Sequence, residues 1–108
     1  MAGEIPEGIA IEPIWVVEAF LGPDAAERRG LFRAEHLARL AGLRDAGTVI
    51  ETGAFADMSA SLLLVRVATE AEALALAQAD VYFRAGVWTS FRIRALGRVV
   101  RKAGPAAG

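Results

Sequence analysis

The chain has 108 residues, 55% of them in the set AVILMFWYC and 23% charged, which suits one packed domain and is too apolar for a disordered segment. A formal net charge of −1 gives no general electrostatic case for nucleic acid or an anionic membrane as partner. Cysteine is absent, which excludes disulfides, thiolate metal sites and a cysteine nucleophile.

In chain order, Ile11–Phe20 (IEPIWVVEAF) is rich in β-branched and aromatic residues and reads as a strand, with Pro13 favouring a sheet edge. Leu21-Gly22-Pro23-Asp24 is a turn, and Asp24 with Glu27 fits a capping box that opens a helix. Gly30 is expected to kink or break that helix, leaving residues 31–46 as its main part. Phe32, His36, Leu40 and Leu43 then form one stripe, and Gly47 stands where a left-handed C-cap belongs. Thr48–Phe55 and Ser61–Val67 read as the second and third strands. Thr69 with Glu72 repeats the capping-box pattern and opens a second helix through about Ala79. Asp80–Gly86 reads as irregular and Val87–Ala95 as a fourth strand. Residues 104–108 read as a frayed tail. One domain over residues 1–108 is expected, with a core at about 11–98 and looser ends at 1–10 and 99–108.

The order β-α-β-β-α-β is the ferredoxin-like pattern, an α+β sandwich in which two helices cover one face of a four-stranded antiparallel sheet. The strands are apolar on both faces: Leu63, Val65 and Val67 alternate with Leu62 and Leu64, and Trp15 and Val17 with Ile14 and Val16. A second covering layer is therefore required, and a second copy of the chain, sheet against sheet, is the simplest. A homodimer is expected.

Charge is unevenly distributed. Residues 1–80 hold all 13 acidic residues against 6 arginines, while Arg84, Arg92, Arg94, Arg98, Arg101 and Lys102 follow with no acid. An anion-binding surface is one reading of this segment. Neutralisation of the last strand by acidic neighbours is the reading adopted, with Glu18 and Glu51 expected to pair with Arg92 or Arg94. No secretory or transit segment is recognisable near Glu4 and Glu7, and apolar runs of about four residues fall far short of a membrane span. A cytoplasmic protein is expected, with no membrane partner.

His36 is the only histidine, and histidine is the side-chain type whose unperturbed pKa lies nearest neutrality. It falls on the sheet-facing stripe of the first helix, with Arg33 about 60° away and one turn earlier. A general base is one role; a buried structural histidine bonded to a carbonyl or carboxylate is the other. Asp80 ends the second helix, where a carboxylate meets an unfavourable dipole unless an arginine, a hydroxyl or His36 compensates it. It could equally be a turn residue that stops the helix. The 44 residues between the two say nothing about contact. Tyr82 and Trp88 read as core or interface residues, with ligand contact the alternative. No nucleophile elbow, phosphate loop or metalloprotease motif is present, and no metal or cofactor is expected.

Arg33-Ala34-Glu35-His36-Leu37-Ala38-Arg39-Leu40, Gly47, Gly53, Asp80-Val81-Tyr82 and Ala85-Gly86-Val87-Trp88 resemble the YCII-related (YciI-like) proteins, over roughly Ile14 to Ala95. That resemblance implies a ferredoxin-like fold assembled as a dimeric α+β barrel. The family pattern R-P-x-H-L and D-P-Y carries a histidine–aspartate dyad, which falls on His36 and Asp80. Ala34 and Val81 stand where the pattern has proline. One branch of the family eliminates chloride from a chlorinated hydroxyhydroquinone with such a dyad. The implied function is general-base, lyase- or hydrolase-type chemistry on a small aromatic or anionic molecule. His36 would be the base and Asp80 its orienter, with Arg33, Tyr82 and Trp88 at the substrate. The alternative is a non-catalytic small-molecule-binding or dimerisation domain that keeps the dyad as a buried pair.

Overall fold

The structure, a computed structural model, describes residues 3–102. Its elements run β1 (Ile9–Leu21), α1 (Ala25–Asp45), β2 (Val49–Ala54), β3 (Ala60–Val65), α2 (Glu70–Gln78), α3 (Val81–Arg84) and β4 (Trp88–Arg101). With α3 as the one addition, this is an α+β chain in the expected order. The tail expected at 104–108 lies outside the described residues.

The four strands form one antiparallel sheet in the order β2-β3-β1-β4. Strands β1 and β4 pair from Ile9↔Arg101 to Leu21↔Trp88, so both run further than their composition indicates. Pro13 is accommodated because the ladder from β1 to β3 begins only at Trp15↔Val65. At Pro13, β1 therefore has a partner on one side only, where a missing N–H is tolerated.

Helix α1 is unbroken from Ala25 to Asp45, contrary to the expected interruption at Gly30. Gly30 is exposed, and its cost of about 1 kcal/mol relative to alanine is outweighed by the burial of Ala25, His36 and Leu40 on the same helix. Ala34 also matters, since a proline there would remove the N–H that bonds to the carbonyl four residues earlier. The Asp24 side chain makes no cap bond; its backbone carbonyl instead accepts the Glu27 and Arg28 N–H groups. The second capping box does form, with Thr69 Oγ1 accepting the Glu72 N–H at 3.1 Å and the Glu72 carboxylate accepting the Ala68 N–H at 2.9 Å.

One sheet face meets the helices. Val17, Ala19, Val49, Leu63 and Val65 pack with Leu40 of α1, Ala73 and Ala77 of α2, and Trp88. The small residues of α2 let its backbone approach the sheet closely. On the opposite face Val16, Leu62 and Leu64 form a half-buried apolar centre. Around it, Arg94 pairs with Glu18 at 2.8 Å and Arg98 with Glu12 at 2.9 Å. The expected pairing of Glu18 with the last strand is thus present. Glu51 instead pairs with Arg44, because β2 and β4 occupy opposite edges with β3 and β1 between them. No helix among the described residues is long and apolar enough to cross a membrane.

Candidate active site

Asp80 directly follows Ala79, the C-cap of α2, and is itself the N-cap of α3. Its backbone is extended (φ −74°, ψ 143°), and its Oδ1 accepts the Tyr82 N–H at 2.8 Å. The segment expected to be irregular is therefore a helical turn, and the carboxylate meets the favourable end of a helix rather than only the unfavourable end of α2. Val81 occupies the first helical position, where proline would also fit, and the turn forms without it.

The same Oδ1 lies 2.8 Å from His36 Nδ1, so two residues 44 positions apart meet inside the fold. The other oxygen, Oδ2, accepts a hydrogen bond from Arg39 Nη1 at 2.9 Å, while Arg39 Nη2 donates to the Leu76 carbonyl in the last turn of α2 at 2.8 Å. Asp80 has no exposed surface, and three donors satisfy it. Burial pushes its carboxyl pKa upward. The bonds from His36, the Tyr82 N–H and Arg39, together with the charge of His36, outweigh burial and hold it below the usual aspartate range.

Aromatic packing fixes the imidazole plane. Tyr82 stacks on His36 with centroids 3.7 Å apart and an interplanar angle of 10°. Trp88 meets the His36 ring edge-on at 5.1 Å, and its indole N–H donates to Ser61 Oγ at 3.3 Å. Trp88 reaches this position through the turn at Gly86, whose φ of +77° suits glycine and not a residue with a Cβ. Burial raises the Tyr82 phenol pKa, opposed by the nearby charges of Arg29 and Arg33.

An ionised Asp80 offers only acceptors, so Nδ1 is the donor and a neutral imidazole carries its lone pair on Nε2. Among the described residues no protein group bonds Nε2, and no buried side-chain nitrogen or oxygen is left without a partner. His36 lines a cavity of about 220 Å³ whose walls include Tyr82, Ser61 and Thr52, with Leu37 and Leu40 from α1. A ligand in that space would face Nε2.

Of the residues singled out in the sequence, His36, Asp80, Tyr82 and Trp88 come together, and Arg33 lies at the cavity wall. Arg39 escaped notice, although it stands three residues after His36 and so shares its helix face. Arg29 and Thr52 also line the cavity. Among the described residues, no group of three histidine, aspartate or glutamate side chains converges as a metal site would require.

Residues 15–97 match the YCII-related domain, and the chain belongs to that family. The fold is similar to that of 5-chloro-2-hydroxyhydroquinone dehydrochlorinase from Burkholderia phenoliruptrix AC1100, whose structure is a complex with 2,5-dihydroxybenzoquinone. The TM-score is 0.65 at 19% identity, covering 75% of this chain and 90% of that one. No curated protein matches the chain.

Proposed function

We propose that the cavity beside His36 is the active site of a small enzyme that removes a proton from a small molecule, with His36 as general base and Asp80 as its positioning residue. The carrying observation is the Nδ1–Oδ1 contact of 2.8 Å combined with an Nε2 that no group among the described residues bonds, on a side chain that lines the cavity. In the proton-transfer step a substrate O–H or C–H bond breaks and the proton passes to Nε2. The electron pair left behind delocalises into the substrate or expels a leaving anion. Asp80 holds the proton-bearing Nδ1 and stabilises the imidazolium that forms. Arg33 stands at the cavity wall as a contact for a negatively charged substrate group. Tyr82 and Trp88 hold the imidazole plane, and Tyr82 also borders the substrate.

The fold likeness to an enzyme that acts on a hydroxylated, chlorinated ring supports small cyclic substrates, and the cavity volume suits them. The protein is further proposed to be a cytoplasmic homodimer in which the partner covers Val16, Leu62 and Leu64, completing a dimeric α+β barrel.

The test uses 5-chloro-2-hydroxyhydroquinone and chlorine-free hydroxylated ring analogues in deuterated buffer, with chloride release and C–H exchange followed by NMR. Wild type should accelerate exchange or chloride release, and His36→Gln should lose that acceleration while keeping the native circular dichroism spectrum. Binding without exchange above buffer for every compound would return the site to the non-catalytic reading.

A further inference from the structure

Among the described residues, no carboxylate balances the positive charge at the cavity wall. Arg39, Arg44, Arg66, Arg84, Arg94 and Arg98 all lie against carboxylates. Arg29 and Arg33 also line the wall next to His36, yet among the described residues neither has an acidic partner and no carboxylate lines the cavity. Arg29 is half-buried, and among the described residues its one side-chain acceptor is the thioether of Met58, 3.0 Å from Nη1. A thioether is a weak acceptor that offers no charge to a guanidinium. Met58 takes a left-handed backbone conformation (φ 65°), costly for a residue with a Cβ, in the turn between β2 and β3 that brings its sulfur to Arg29.

The helix spacing orders these groups. Arg29, Arg33 and His36 lie four and three residues apart on α1, hence on one face, with Arg33 about one turn and Arg29 about two turns from the imidazole. Both guanidiniums are near enough to the Tyr82 hydroxyl to oppose the upward effect of burial on it. The remaining wall is largely apolar, formed by Leu21, Leu37, Leu40 and Ala54. A volume of about 220 Å³ lies below the roughly 300–1,000 Å³ typical of drug-sized pockets and selects a compact ligand.

We infer that Arg29 and Arg33 together form a carboxylate clamp, and that the site takes a compact organic acid of about one ring, its carboxylate between the two guanidiniums and its apolar body directed at His36. Arg29 is thereby a specificity-determining residue. Paired planar guanidiniums match a carboxylate in shape as well as charge. The inference rests on the cavity being a ligand site and not on His36 being a base.

The test is direct binding of 4-fluorobenzoate to the full chain by fluorine NMR, with 4-fluorobenzamide as the uncharged analogue. The acid should bind at least tenfold more tightly than the amide, with an affinity that falls as salt is raised. Arg29→Met and Arg33→Met should each weaken the acid at least tenfold and leave the amide unchanged. Arg28→Met, on the same helix but bonded to the Ala85 carbonyl, should bind the acid as wild type does. Equal binding of acid and amide, failure of the acid to bind, or wild-type affinity in both cavity variants would overturn the inference. Loss of exchange chemistry with acid binding intact would strike the general-base reading alone. Exchange of an uncharged ring compound without acid binding would strike the clamp alone.

Discussion

Asp80 Oδ1 accepts from His36 Nδ1 and from the Tyr82 backbone N–H, both at 2.8 Å, so one oxygen orients the imidazole and starts the helical turn that carries its stacking partner. The position of the imidazole and the shape of the cavity beside it are therefore coupled. A change at Asp80 alters the imidazole, the α3 cap and the Arg39 bond together.

Asp80→Asn should lower stability at neutral pH by about 1–3 kcal/mol, because His36, Arg39 and the Tyr82 N–H lose a charged acceptor. The pH dependence has a definite sign. The folded Asp80 carboxyl pKa lies below its ordinary value, so its stabilising effect is present above about pH 4 and is lost as pH falls through the lower folded value. Urea unfolding of both proteins from pH 7 to pH 3 should show the stability gap narrowing below about pH 4. Glu12, Glu51 and Asp57, also lowered, are common to both proteins and cancel in the difference. A gap that stays constant or widens in acid would contradict the assignment.

Arg39→Met removes the bonds to Asp80 Oδ2 and to the Leu76 carbonyl while keeping most of the aliphatic stem. Arg39 is about a quarter exposed (27%), so water takes over part of what is lost. The expected destabilisation is about 1 kcal/mol in urea melts, smaller than for Asp80→Asn. Exchange chemistry at His36 should slow but persist, since the Nδ1–Oδ1 bond survives. Complete loss of exchange in a folded Arg39→Met protein would make Arg39 more than a support for Asp80.

Leu64→Glu places a charge in the apolar centre of the uncovered sheet face, beside Val16 across the β1–β3 ladder. In sedimentation equilibrium at micromolar concentration the wild type should have about twice the 11.4 kDa chain mass, and the variant should shift toward a single chain. A wild-type protein of single-chain mass would remove the dimer from the proposal while leaving the His36 site untouched.

Apart from the short α3, the element order was legible because each strand and the two longer helices carry their own local signal: β-branched runs, a helical stripe through His36 and Leu40, and the Thr69–Glu72 capping box. What local signals miss is context. Gly30 looks like a break until the burial of the rest of α1 is weighed against it. Glu51 finds Arg44 because sheet order, which composition does not encode, separates β2 from β4. The acidic and basic halves do pair across the β1–β4 ladder at Glu12 and Glu18, where antiparallel register brings the two ends of the chain together. His36 and Asp80 were paired through family resemblance, since no local rule connects residues 44 apart. Arg39 was missed because a helical arginine is ordinarily a solvated one, and only the fold brings the Asp80 carboxylate and the Leu76 carbonyl to it as partners.

Because His36 is the sole histidine, nitrogen-15 NMR of the untagged, histidine-labelled chain reports one imidazole and tests the central claim directly. The account predicts that the neutral ring carries its proton on Nδ1, with Nε2 bare, and that Asp80→Asn removes this preference. A neutral ring protonated on Nε2 in the wild-type protein would contradict it, since the nitrogen facing the cavity would then have no lone pair with which to accept a proton.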